Sequence, residues 1–310
     1  MLLGIKSAIV GSFVGDTMAL GTHWVYDQEG IVSKYGRVET LLKPEMTEYH
    51  RGRDAGEFTH YGDQAYELLV EVSVDHEFDL NSFSSRFRAL FKGDYDGYID
   101  HATKQTLDLI GECTTYDTCA SKSTDLGGAS RMAPLLLAYG DDVFALKDSL
   151  EKFISYTHND IRVKESGFFF GEVMNKIFTQ SMKPTEAIRT IKDKFPHIKG
   201  MIDKGLESVD LDSSSAIKEL GMACSVDGAL ASTIHIIAKY EDDFRTAIIE
   251  NVMAGGDSAA RGMLIGMVLG GYLGVDSIPT EWLDGMKKYS DIISLIEHKK
   301  HLHYYDEIVA

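Results

Sequence analysis

Apolar residues recur along most of this chain at intervals of three and four, the spacing that gathers side chains on one face of an α-helix. A helix over residues 3–18 places Ile5, Ile9 and Phe13 in a stripe, with the small residues Ala8, Gly11, Gly15 and Ala19 on the face beside it. A second helix starts at about Asp63, with Tyr66, Leu69 and Val70 on one side. The same spacing predicts helices over 81–91, 101–110, 130–138, 141–156, 168–179, 185–194, 227–239 and 242–253. Pro134 is tolerable in the first turn of its helix. Two stretches break the pattern: 36–60 and 111–128 are polar and aperiodic. Loops of that length inside one domain usually serve function. Strand-like alternation, internal repeats and low-complexity linkers are missing, so the expected fold is all-α, one domain spanning 1–310.

The most informative stretch is 251–274, NVMAGGDSAARGMLIGMVLGGYLG. It reads as a helix end, a turn at Gly255-Gly256 that uses glycine's freedom at positive φ, and a new helix capped by Asp257 or Ser258. Gly262, Gly266, Gly270 and Gly274 follow at every fourth position and share one face. Glycine weakens a helix interior by about 0.8–1.0 kcal/mol relative to alanine. Four of them require close packing against another backbone, and the small face of the first helix is the natural partner.

Charge narrows the partners. Lys and Arg number 31 against 48 Asp and Glu, a net charge of −17, which repels phosphate backbones and argues against nucleic acid. Cys113, Cys119 and Cys224 make no paired motif, as expected for a reducing, cytoplasmic setting. The N-terminal apolar run lacks the basic start of a signal peptide. Residues 262–275 are uncharged but fall short of the ~20 needed to span a bilayer, so no membrane partner is expected. Oligomeric state is not legible.

Several residues carry candidate chemistry. Asp63 and Asp257 stand at predicted helix N-termini, where capping and catalytic readings are both open; as a pair they have the chemistry of an acid and a base across a glycosidic bond. Asp16 falls within the first helix near its small face, placed to bond backbone, or Arg261 close to Asp257. His23 and Trp24 end that helix: the first suits general acid–base work near neutral pH, the second stacking on a base or ribose. Gly127, Gly128, Ser130 and Arg131 lead into a helix N-terminus, a cradle suited to a diphosphate; Arg131 pairing with a core carboxylate is the other reading. Arg261 follows Asp257 by four, an intrahelical pair. His298, His301 and His303 cluster in the tail without acidic or cysteine partners at ligand spacing.

Four motifs in order, GSFVGDTMALGTHWVYD, AGEFTHYGDQ, DLGGASRMAPLLL and AGGDSAARGMLIGMVLGGYLG, resemble the ADP-ribosylglycohydrolase family over nearly the whole length. HWVYD and GGDSAAR look most like the branch that includes the jellyfish J1 crystallins. The resemblance implies a compact orthogonal helical bundle, hydrolysis of the bond between ADP-ribose and an acceptor, and a magnesium pair held by carboxylates. Its motifs depart from the family at that point. Asp63 keeps one aspartate of a Thr-Asp-Asp-Thr cluster, with Tyr61, Gly62 and Gln64 in the other places. Asp257 is kept, but Ala259 and Ala260 replace aspartate and threonine, and His23 replaces a glutamate. A full binuclear magnesium site is therefore not expected; one ion held by Asp63, Asp257 and waters is the form that could survive. No organic cofactor is implied. His158, in a Thr-His that recurs in the family, is expected to be structural. The implied function is hydrolysis of an N- or O-glycosidic bond in an ADP-ribosyl or related nucleoside-sugar compound, free or protein-attached. Asp63, Asp257 and His23 would be catalytic. Asp16, Trp24, Tyr61, Gln64, Gly127, Gly128, Ser130, Arg131, Ser258 and Arg261 would bind substrate, with Arg261 standing in for a lost ion. The alternative is a catalytically silent nucleotide-binding or crystallin-like structural protein of the same fold.

Overall fold

A computed structural model describes residues 1–110 and 120–298. Among these the regular elements are helices, without strands. In chain order the helices are α1 (Leu2–Ala19), α2 (Gln28–Tyr35), α3 (His60–Asp75), α4 (Leu80–Leu90), α5 (His101–Leu109), α6 (Gly127–Ser130), α7 (Leu135–Tyr139), α8 (Val143–Thr157) and α9 (Ile161–Gln180). There follow α10 (Pro184–Ile191), α11 (Lys199–Glu207), α12 (Ser213–Leu220), α13 (Val226–Lys239), α14 (Phe244–Met253), α15 (Ser258–Leu273), α16 (Thr280–Gly285) and α17 (Tyr289–Glu297).

The small faces meet as their spacing predicts. α1 and α15 run antiparallel down the centre: a Cβ on Gly15 would lie 2.0 Å from the Gly262 carbonyl oxygen, and one on Gly11 would lie 2.2 Å from that of Gly266. Gly270 continues the seam against the Ser7 carbonyl, 2.5 Å from its would-be Cβ. Gly274 does not belong to this face; it ends α15 at φ 85° with open space around it. Leu2–Ala19 is apolar and long enough to cross a membrane, yet 78% of it is buried by the surrounding protein, as befits a core helix.

Two sequence expectations need correction. The helix predicted over 130–138 is two pieces, because Pro134 has no N–H and its ring crowds the carbonyl four residues back; it caps α7 instead. The predicted helix over 168–179 starts earlier, at Ile161, where Asp160 accepts from the Arg162 and Val163 N–H groups. The 36–60 loop is irregular as expected, and it is fastened. The Trp282 indole donates to the Glu39 carbonyl at 2.8 Å, and the Lys287 N–H donates to that of Gly56 at 2.9 Å. Of the 111–128 loop, 111–119 lie outside the described residues, as do His301 and His303 of the tail.

Candidate active site

Two short antiparallel bridges bring four chain segments together at the N-terminus of α15. The Trp24 N–H donates to the Gly256 carbonyl and the Gly256 N–H to that of Val25, both at 2.7 Å. This ties the end of α1 to the turn before α15. Gly255 and Gly256 sit at φ 66° and 62°, and a Cβ on Gly256 would lie 2.2 Å from the Met222 carbonyl oxygen. On the other side, the Asp257 N–H donates to the Met222 carbonyl at 2.8 Å, and the Leu126 N–H donates to that of Cys224 at 2.9 Å. The strap 222–226 thus holds Asp125 beside Asp257.

Asp257 caps α15, accepting from the Ala260 N–H at 3.1 Å. Its other oxygen is 3.2 Å from the Tyr61 hydroxyl, which also stands 3.1 and 3.2 Å from the two Asp125 oxygens. Asp125, Asp257 and the Cys224 sulfur present atoms within 4.8 Å of one another. Burial raises both carboxyls, Asp125 well above the usual range with the Asp257 charge adding to the effect. The Ala260 N–H and the Arg261 charge moderate the rise at Asp257. Burial, then these two carboxylates, push the Tyr61 hydroxyl far up, so it stays protonated. Burial likewise pushes up the Cys224 thiol, and the acids beside it push it further; a thiol so held is a poor nucleophile.

His23 reaches the same centre, its Nδ1 3.5 Å from an Asp257 oxygen. His50, from the long loop, and His60, at the start of α3, pack against it. His60 Nε2 is 3.1 Å from an Asp100 oxygen. Burial drives His23 and His50 far below the usual imidazole range, and neighbouring imidazoles add to it. Burial opposes ionisation of Asp100, but His60 and the Thr103 N–H outweigh it and hold that carboxyl low. Outside the histidines Trp24, at φ 60°, meets Tyr49 and Tyr98 edge-on with ring centres 4.8 and 5.0 Å away. Tyr49 and Tyr26 are about half exposed, so aromatic rings stand between the buried polar centre and the surface.

The other expected residues fall into three places. Asp63 is not a cap; Thr59 caps α3. Asp63 instead accepts from Arg53 at 2.7 Å and Tyr95 at 2.6 Å, sharing no bonding partner with Asp257. Asp16 bonds neither Arg261 nor Asp257: Thr59 donates to it through its N–H at 2.8 Å and through its hydroxyl. Burial raises the Asp16 carboxyl to about 7. Gln64 and Arg131 join each other in the interior, where Arg131 also donates to the Gly127 carbonyl and Thr157 hydroxyl, both at 2.8 Å. Arg131 therefore pairs with an amide, a hydroxyl and a carbonyl, with no core carboxylate. Ser130 Oγ bonds the Gly127 carbonyl, and His158 is buried beside Thr157 at 2.9 Å. The Gly127 N–H already donates to Asp125 at 2.8 Å, so Asp125 fills the expected anion cradle from within. Arg261 holds the turn, donating to Asn251 at 3.0 Å and to the Gly255 carbonyl at 2.5 Å. Ser258 is buried beside Asp257.

Sequence reasoning missed Asp125, His50, His60 and Asp100. The signal for Asp125 was its place directly before Leu126-Gly127-Gly128, where an aspartate commonly folds onto the N–H two residues on. His50 carried only the general hint of a long loop.

A family magnesium pair demands several oxygen ligands in near-octahedral geometry. Here Arg53 already neutralises Asp63, Ala259 and Ala260 are buried without donor atoms, and a side chain at Gly62 would begin 2.3 Å from an Asp16 oxygen. These residues do not fit a binuclear magnesium site.

The family model for ADP-ribosylglycohydrolase matches residues 4–307. Crystallin J1A of Tripedalia cystophora is similar at 23% identity, with 94% of each chain covered. Crystallin J1B of the same animal is 22% identical, with 90% of each covered. An uncharacterized protein of Archaeoglobus fulgidus is 22% identical, with 91% of each covered. Among solved structures, an ADP-ribosylglycohydrolase-related protein complex superposes with a TM-score of 0.74 at 20% identity, covering 96% of each chain. The helical fold and a match running almost end to end make this chain a member of the ADP-ribosylglycohydrolase family.

Proposed function

We propose that the protein hydrolyses an N- or O-glycosidic bond of an ADP-ribosyl or related nucleoside-sugar compound. The supporting observation is two buried carboxyls, Asp125 and Asp257, meeting on one tyrosine hydroxyl. Each disfavours ionisation of the other, so the pair holds one proton where isolated carboxyls hold none. The protonated member serves as acid to the departing atom; the ionised member acts on the anomeric carbon or on water. Oxygens within 4.8 Å of each other suit the ~5–5.5 Å spacing of retaining enzymes better than the ~6.5–9.5 Å of inverting ones. In that course the carboxylate attacks as the leaving group takes the proton, and the conjugate base then draws a proton from the water that releases the sugar. Tyr61 keeps the two carboxyls in register. Trp24, Tyr49 and Tyr98 offer ring faces and edges for a base or ribose.

The test is release of free sugar from ADP-ribosyl compounds, followed by chromatography, alongside thermal shift with ADP-ribose with and without magnesium. Wild type should turn over, and Asp125→Asn should lower kcat by about 10²–10⁴. If wild type shows neither turnover nor stabilisation by ADP-ribose, the reading fails and the silent, crystallin-like alternative replaces it.

A further inference from the structure

His23, His50 and His60 come from three separate segments, yet their rings form a near-equilateral triangle. The centres are 5.2 Å apart for His23 and His50, 5.7 Å for His50 and His60, and 6.0 Å for His23 and His60. One ring nitrogen of each lies within 4.8 Å of one from each of the others. Three imidazoles sharing a tetrahedral zinc, with Zn–N of ~2.0–2.1 Å, place their ring centres roughly 5 Å apart. All three side chains are buried, and neither His50 nitrogen has a hydrogen-bond partner. Buried imidazole nitrogens normally find one. Asp100 stands 3.1 Å from Nε2 of His60, leaving its Nδ1 unpartnered, whereas Asp257 comes only within 3.5 Å of His23 Nδ1 and neither His23 nitrogen has a hydrogen-bond partner. A carboxylate on one imidazole nitrogen with the other free is how metal-binding histidines are oriented.

We propose that His23, His50 and His60 form a three-nitrogen site for a divalent transition metal of the zinc class, with Asp100 orienting His60. Nitrogen ligands of this kind select zinc, copper or nickel over magnesium. Three protein ligands leave a fourth position for solvent or substrate. The site adjoins Asp257, which keeps a family magnesium position, but its ligands are imidazole nitrogens, and it does not depend on the protein being a glycosidase.

The experiment uses the full chain, stripped with chelator and titrated with Co²⁺ and Zn²⁺ by absorption and calorimetry. One ion per chain is expected, with the visible bands of four-coordinate cobalt and no sulfur-to-metal band. His50→Phe keeps an aromatic ring at the position without a ligating nitrogen and should abolish uptake while leaving circular dichroism unchanged. Should that variant misfold, Asp100→Asn, which preserves a cap for α5, is read in its place and should weaken binding by ~10–100-fold. Changing His298, His301 and His303 together to alanine should leave binding intact. The proposal is overturned if folded wild type takes up no cobalt. It is equally overturned if uptake survives His50→Phe, if it vanishes with the tail histidines, or if a sulfur band places the ion at a cysteine.

Discussion

Asp16 is fully enclosed, and Thr59 supplies a donor to each of its oxygens, yet burial still holds its carboxyl up at about 7 against an ordinary 3.8. Between those values the folded chain keeps a proton that the unfolded chain has released. Unfolding free energy therefore falls as pH rises through this window, by up to about 1.4 kcal/mol per pH unit, and levels off above it. Asparagine can meet the same partners, its oxygen accepting from the Thr59 N–H and its amide donating to the hydroxyl. Urea denaturation from pH 4.5 to 7.5 should show a shallower decline for Asp16→Asn than for wild type, and equal slopes would refute this account. At Tyr61 the argument concerns hydroxyl satisfaction. Tyr61→Phe leaves two buried carboxyls without their shared partner and should cost about 1–3 kcal/mol in stability, measured at pH 7, besides lowering turnover.

The α1–α15 seam makes its prediction at the scale of whole helices. Gly11→Ala or Gly15→Ala would press a methyl into a facing backbone carbonyl at 2.2 or 2.0 Å, and backbone has no rotamer to yield. Each should destabilise by about 1–3 kcal/mol or more. Gly200 lies in the first turn of α11 with nothing within 4 Å of its would-be Cβ, so Gly200→Ala should be neutral or gain up to about 1 kcal/mol. Thermal melts of the three variants decide it; equal losses at all three would mean that close approach is not what the seam requires. This contact was legible because fourfold glycine spacing carries its own geometric meaning, and the Asp257 cap was legible for a similar local reason. The centre beside it was not. Asp63 looked central because it aligned with a family position, but Arg53, from the loop that leads into α3, takes its charge. Asp125, His50 and His60 are placed by the 222–226 strap and by fastenings at Glu39 and Gly56, which are tertiary contacts with no periodic trace. Gln64 and Arg131 looked like cleft residues for the converse reason: polar character says nothing about whether the partner is substrate or another side chain.

Taken whole, the molecule sets a test of substrate class through its field. The net charge is −17, and the cations nearest the centre are committed. Arg131 and Arg261 spend their donors on internal carbonyls, amides and a hydroxyl, and Arg53 is held by Asp63 and Asp96. The glycine N–H that would welcome a phosphate already serves Asp125. A diphosphate-bearing substrate thus approaches an acidic protein whose local positive charge is mostly cancelled. Long-range repulsion should slow its capture at low ionic strength, where the Debye length is ~30 Å, and relax near 0.15 M, where it is ~8 Å. For ADP-ribosyl substrates kcat/KM should rise with salt, on the order of 10-fold across that range, whereas an uncharged nucleoside-sugar should show a flat profile. A rate for the anionic substrate that falls as salt is added would reveal an attractive anion site that the residues around Asp125 do not provide. It would return Gly127, Gly128 and their neighbours to the role of a diphosphate cradle. A flat profile combined with faster turnover of the uncharged compound would shift the substrate class toward nucleosides, the better match for the cluster of Trp24, Tyr49 and Tyr98.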